Sequence, residues 1–91
     1  MIQSWKSKAL KRVYNGDLKA VGAEILERVR VALSALDCAV VSKDVDVPGF
    51  RLHPLRGDRK GRWSITITGN WRITFRIEQG NVYDVDLEDY H

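Results

Sequence analysis

Residues 62–77 read Arg62-Trp63-Ser64-Ile65-Thr66-Ile67-Thr68-Gly69-Asn70-Trp71-Arg72-Ile73-Thr74-Phe75-Arg76-Ile77, and this stretch decides the fold. Trp63, Ile65 and Ile67, then Trp71, Ile73, Phe75 and Ile77, recur at every second position with Ser, Thr and Arg between them. That period belongs to half-buried strands. A two-residue Gly69-Asn70 loop would set Ile67 opposite Arg72 and turn the two apolar rows to opposite faces. A three-residue loop, Thr68-Gly69-Asn70, with Gly69 or Asn70 left-handed, instead pairs Ile67 with Trp71, Ile65 with Ile73 and Trp63 with Phe75 on one face. The same logic at Glu78-Gln79-Gly80 adds a third strand, with Tyr83 opposite Phe75, Val85 opposite Ile73 and Leu87 opposite Trp71. Asp86 then faces Arg72, and a cross-strand ion pair is expected there. The strand runs on into Glu88-Asp89-Tyr90-His91, a cluster of ionisable side chains.

Upstream, Phe50-Arg51-Leu52-His53-Pro54-Leu55-Arg56 alternates like a fourth strand of this sheet. Pro54 donates no ladder hydrogen bond and drives His53 towards extended geometry, so a bulge or an unpaired stretch is expected at His53-Pro54. Gly57-Asp58-Arg59-Lys60-Gly61 makes the turn into Trp63. Further back, Asp17 reads as the N-cap of a long helix whose Leu18, Val21, Ile25, Val29, Leu33 and Leu36 form one stripe, with Lys19, Glu24, Glu27, Arg28 and Arg30 outside. Lys6 to Val13 reads as a shorter helix stopped by Asn15-Gly16-Asp17, and Ile2 to Trp5 as an edge strand. The two helices form a hairpin whose apolar stripe needs a surface to cover, and the Trp/Ile/Phe face supplies it. The fold class is α+β, a helical hairpin packed on a twisted antiparallel sheet in the order β-α-α-β-β-β-β.

The 91 residues suit one small domain, expected over 1–91, with a single core. With no charged-then-apolar leader and no long apolar run, a soluble, cytoplasmic chain without a membrane partner is expected. The lone Cys38, set among Ala35, Leu36, Ala39 and Val40, reads as a buried structural thiol with no chemical role. The net charge of +3 is unevenly placed, since residues 63–91 carry two basic and five acidic side chains. The excess concentrates at Arg51, Arg56, Arg59, Lys60 and Arg62, which face only Asp58, and a basic loop of this kind suits a phosphate-bearing partner.

Proton transfer near neutral pH points to the two histidines, His53 and His91. Alone, His53 would be a half-exposed partner for a backbone carbonyl, and His91 an inert end. Their company is more telling. Asp89 and Tyr90 stand beside one, and Arg56 and the basic loop near the other, which are the acid, base and anion-binding groups of phosphodiester cleavage. No H-x-x-x-H or C-x-x-C spacing prepares a metal site, and cationic neighbours repel one, so no metal and no cofactor is expected. The aromatic residues at strand spacing read as core, with Tyr90 the better candidate for stacking on a base.

The segments Arg51-Leu52-His53-Pro54-Leu55-Arg56-Gly57-Asp58-Arg59-Lys60-Gly61, Gly69-Asn70-Trp71-Arg72-Ile73-Thr74-Phe75, Tyr83-Asp84-Val85-Asp86 and Asp89-Tyr90-His91 resemble, in this order, the HigB toxins of the RelE/ParE superfamily of toxin–antitoxin modules. The resemblance spans almost the whole chain. It implies a RelE-like fold and a ribosome-dependent mRNA endonuclease, working without metal or organic cofactor through attack by the RNA's own 2′-hydroxyl. It also implies a helix-turn-helix antitoxin as partner. Residue by residue, it carries catalytic roles to His53, Asp89, Tyr90 and His91, and RNA or ribosome contacts to Asn70 and Arg72. Where the family pattern has lysine after His-Pro-Leu, this chain has Arg56, expected to be catalytic as well, since it can stabilise the pentavalent phosphate through two N–H groups although it neither gives nor takes a proton. Arg51, Arg59, Lys60 and Arg62 complete the expected RNA-binding set. A gyrase-binding toxin of the ParE branch is the alternative on the same fold, and it would not need His53 or the terminal trio. A plain basic RNA-binding module is a third reading, in which binding follows charge and salt alone.

Overall fold

The structure, a computed structural model, describes residues 1–89. Two helices, α1 (Lys8–Tyr14) and α2 (Ala23–Cys38), precede four strands, β1 (His53–Pro54), β2 (Trp63–Thr66), β3 (Trp71–Glu78) and β4 (Asn81–Asp89). The strands form one antiparallel sheet in the spatial order β1-β2-β3-β4. Both helices have their buried side chains in one core with the sheet. Leu10 of α1, Val29 and Leu36 of α2, and Ile65, Ile73 and Phe75 of the sheet are fully enclosed. Among the described residues no helix is long and apolar enough to cross a membrane.

The β2–β3 register is the one that the period of two demands, with Trp63 opposite Phe75 and Ile65 opposite Ile73. Its turn closes differently from the expectation, since neither Gly69 nor Asn70 is left-handed. Thr68 shapes it instead, its hydroxyl accepting from the Trp71 amide at 3.3 Å, while Arg72 donates to the carbonyls of Thr68 at 2.7 Å and Gly69 at 3.2 Å. Side-chain hydrogen bonds to the backbone thus take the place of a left-handed residue.

The β3–β4 register differs from the expectation. Gln79 and Gly80 form a two-residue turn with both φ angles positive, 49° and 78°, which sets Glu78 opposite Asn81. Such a turn matches the twist of the flanking strands. Arg76 then faces Tyr83, and Val82 instead of Tyr83 enters the core. A bulge follows, in which Asp84 is left-handed at φ 56° and the extra residue returns Val85 to the core face. Beyond it Ile73 faces Leu87, Thr74 faces Asp86 and Arg72 faces Glu88, so the expected Arg72–Asp86 pair does not follow from this register. The ion pairs form around the bulge, where Arg76 Nε donates to Asp84 Oδ2 at 2.9 Å and the Arg76 guanidinium lies 4.6 Å from the centroid of the Tyr83 ring.

The expected N-terminal strand is reduced to two isolated parallel bridges to β4, Ile2 to Val82 and Trp5 to Val85. The bulge divides them. Ser4 bridges it, its hydroxyl accepting from the Asp84 amide at 2.8 Å. Asp17 does not cap α2. It accepts from the Lys19 amide and from Arg12, and a turn carries the chain on to Gly22, so Leu18 stays 44% exposed outside the helix. Arg28 is not on the solvated face either; it is half-buried and its guanidinium lies 5.0 Å from the centroid of the Phe50 ring. Cys38, expected to be buried, ends α2 as an exposed free thiol. In the Phe50–Arg56 segment the irregularity falls at Arg51, left-handed at φ 51°, and His53-Pro54 is the part that pairs. The missing N–H of Pro54 is harmless on an edge strand.

Candidate active site

The sheet face turned away from the helices holds the candidate groups. Across it His53 faces Ser64, Ser64 faces Thr74, and Thr74 faces Asp86, so one row crosses all four strands. The neighbouring row sets Thr66, Arg72 and Glu88 side by side. Period two dictates this, because the side chains alternating with Ile65, Ile73 and Val85 must point away from the core. A cleft of about 200 Å3 lies over these rows, lined by His53, Leu55, Arg59, Ser64, Arg72, Thr74, Glu88 and Asp89.

His53 is exposed, and its Nδ1 lies 2.9 Å from the carbonyl oxygen of Arg51. A carbonyl only accepts, so Nδ1 carries the proton and Nε2 is the nitrogen left for a substrate. The left-handed Arg51 brings that carbonyl round to the ring. The backbone-carbonyl contact expected of His53 is therefore also the contact that selects its tautomer.

Under the cleft, Ser64 and Thr74 are 3% and 2% exposed although they sit on the outer face. Polar side chains cover Thr74. Arg62 donates to Thr74 Oγ1 at 3.0 Å and to the Asp84 carbonyl at 2.9 Å, and Thr74 Oγ1 donates to Glu88 Oε2 at 2.5 Å. Arg59 also donates to Glu88 Oε2. Burial pushes the Glu88 carboxyl upward, but the Thr74 hydrogen bond, the Arg59 hydrogen bond and the charges of Arg59 and Arg62 outweigh it and leave the group below its usual value. Asp84 is lowered chiefly by its hydrogen bond from Arg76, against a smaller upward push from burial.

Of the residues singled out from the sequence, the fold brings His53, Arg59, Arg72 and Asp89 to this cleft. Arg56, Lys60 and Arg62 line a neighbouring groove of about 360 Å3 with Pro54, Leu55 and Trp63. Arg62 is turned inward, its side chain 14% exposed and 3.9 Å from Asp84 Oδ2, so it braces the sheet. Asn70 is exposed in the β2–β3 turn, and Arg51 is exposed beside His53. Tyr90 and His91 lie outside the described residues. Reading the sequence missed Ser64, Thr74 and Glu88. The strand period marks the first two as outward-facing, but Glu88 meets Arg72 only through the bulge. Among the described residues, no three His, Cys, Asp or Glu side chains converge as a metal-holding group.

Residues 3–91 match the family described as the RelE-like toxin of the type II toxin–antitoxin system HigB. Endoribonuclease HigB of Proteus vulgaris is 42% identical over 92 aligned positions, covering the whole of both chains. Among solved structures, the YoeB/ParE toxin of Agrobacterium tumefaciens superposes with a TM-score of 0.64 at 19% identity, covering 100% of this chain and 99% of that one. A point mutant of YafQ from E. coli superposes with a TM-score of 0.64 at 13% identity, over 98% and 91% of the two chains. At such identities these two structures speak for the fold alone, the RelE-like helical hairpin on an antiparallel sheet that the sequence led to expect, here with four strands and only bridges in place of the expected N-terminal one. With the family match covering residues 3–91, this protein belongs to the HigB group of RelE-like toxins of type II toxin–antitoxin systems.

Proposed function

We infer that this toxin is an endoribonuclease that cuts messenger RNA on the ribosome without a metal or organic cofactor. The observation that carries the reading is His53. Its Nδ1 is committed to the Arg51 carbonyl, and it lines one cleft with the cations Arg59 and Arg72 and the carboxylate Asp89. Nε2 is thereby prepared to exchange a proton with a bound substrate.

In this reading the 2′-oxygen of one nucleotide forms a bond to the adjacent phosphorus as the bond from phosphorus to the 5′-oxygen breaks. The products are a 2′,3′-cyclic phosphate and a 5′-hydroxyl. Asp89 and His91 are the candidate groups for taking the 2′-hydroxyl proton. His53, protonated, gives one to the departing 5′-oxygen or orients the phosphate. Arg72 and Arg59 neutralise the charge that grows on the phosphoryl oxygens. Arg56, Lys60 and Arg51 attract the polyanion from outside the cleft, and Asn70 and Tyr90 complete the contacts to RNA. A helix-turn-helix antitoxin encoded with the toxin is the expected neutralising partner. The homologue's name, Endoribonuclease HigB, supports the reaction class.

The test is primer extension on cellular mRNA after induction of the toxin, followed by cleavage on purified programmed ribosomes. Cuts locked to the reading frame, lost in His53→Ala, are the expected result. Intact mRNA with stalled DNA replication would overturn the reading in favour of a gyrase-directed toxin.

A further inference from the structure

Glu88 is the charged side chain of the cleft that the scheme above leaves without a task. It lies on β4 opposite Arg72, with its side chain 29% exposed. Its Oε2 atom accepts from both Thr74 Oγ1 and Arg59. Thr74 Oγ1 already accepts from Arg62, so its single proton is committed to Glu88. Arg62 is in turn held by the carbonyl of Asp84 at the bulge. A continuous line of hydrogen bonds therefore runs from the β4 bulge through Arg62, Thr74 and Glu88 to Arg59, and Thr74, its middle member, is buried.

Arg59 is the end of that line and the member least fixed by its own backbone. It closes a short 3-10 turn, Gly57–Arg59, in a loop flanked by Gly57 at φ 66° and Gly61 at φ 95°. An arginine on such a loop samples many rotamers unless something confines it, and the carboxylate of Glu88 does so. One Arg59 nitrogen is engaged by Glu88, and the guanidinium has further N–H groups to offer.

We propose that Glu88 is the positioning residue of the cleft, holding the Arg59 guanidinium at the wall of the site that His53 lines so that its remaining N–H groups meet an RNA phosphate. The proposal rests on the endoribonuclease reading above and assigns Glu88 a role through Arg59. A proton-accepting role for Glu88 is the competing use, and the site opposes it. The carboxylate is already occupied by a hydroxyl and a guanidinium, and its lowered pKa makes it a weak base. Protonating it would also release Arg59.

The experiment is a double-mutant cycle on RNA cleavage by programmed ribosomes, using wild type, Glu88→Gln, Arg59→Ala and the double variant. Glu88→Gln is expected to slow cleavage about tenfold or more in the wild-type background, the effect of losing a charged hydrogen-bond partner, and less than about twofold with Arg59→Ala. Its pH–rate profile should keep both limbs of the wild-type curve. Thr74→Val should repeat the loss, and Thr74→Ser, which keeps the hydroxyl, should restore the rate, with melting temperatures showing that each variant is folded. Equal losses in both Arg59 backgrounds, no loss in either, or the disappearance of one limb of the pH profile would each overturn the proposal while leaving the endoribonuclease reading intact. Failure of the wild-type protein to cleave would overturn both.

Discussion

Replacing Arg28 with methionine tests how the helical layer holds the turn that carries Asn70 and Arg72. Arg28 Nε donates to the Ile67 carbonyl, and its NH2 group donates to the Thr66 carbonyl at 3.1 Å and the Gly49 carbonyl at 3.2 Å. Methionine keeps the unbranched stem and removes every donor. The Thr66 and Ile67 bonds are partly buried and charge-assisted, so each is worth about 1.5 kcal/mol, the low end for such bonds. Water replaces the exposed bond to Gly49 at little net loss. Loss of the cation over the Phe50 ring, about 0.5 kcal/mol, is offset by a similar thioether–ring contact. The net loss is about 3 kcal/mol, a large share of the roughly 5–14 kcal/mol available to a domain of this size. The melting temperature should fall by roughly 12–24 °C, at about 4–8 °C per kcal/mol. Urea and thermal unfolding followed by circular dichroism measure this directly, with an unchanged urea slope showing that only stability has moved. Arg28→Lys should fall between, since an ammonium cannot reproduce the fork that spans the carbonyls. A methionine variant within about 0.5 kcal/mol of wild type, the usual effect of a surface change, would refute the account of the clamp.

Three further outcomes are expected. His53→Ala should lower RNA cleavage by about a hundredfold or more, the usual weight of a proton-transfer group, while its urea midpoint stays near wild type because the side chain is exposed; wild-type toxicity would remove His53 from the mechanism. Arg56→Lys should be tolerated and Arg56→Ala should lose less than His53→Ala, because Arg56 lines the neighbouring groove, from which its charge alone would reach the RNA; a severe loss with lysine would mean that two-pronged phosphate contact matters at that position. Stability should also fall in acid. Asp84 and Glu88 have folded pKa values below their ordinary 3.8 and 4.5, so the unfolded chain takes up protons first as the pH drops. Their contribution is complete above those ordinary values and is lost as the pH falls through them towards the lower folded ones. A urea midpoint that is flat between about pH 6 and 3, or an equally steep decline in Asp84→Asn, would contradict that linkage.

What the sequence determined by itself is the part governed by local periodicity and composition. Alternation of apolar residues over 63–77 dictated two strands and, because a slip of one residue would bury Arg72 and expose Ile73, it dictated their register as well. The stripe from Ile25 to Leu36 dictated a helix that must cover that sheet, and the His53, Arg72 and Asp89 segments carried the resemblance to the family to which the chain belongs. The tertiary structure decided what depends on partners distant in the chain. Nothing local requires Asp84 to be left-handed, yet Ser4 and Arg76 hold it there, and that one extra residue returns Val85 to the core and sets Glu88 beside Arg72. Arg28 and Leu18 occupy ordinary helix-pattern positions, but the carbonyls of Thr66 and Ile67 draw the first inward, and a turn at Asp17 leaves the second in solvent. Side-chain alternation can be read along a strand. The residue at which a bulge resets it is chosen by the energy of contacts made across the sheet.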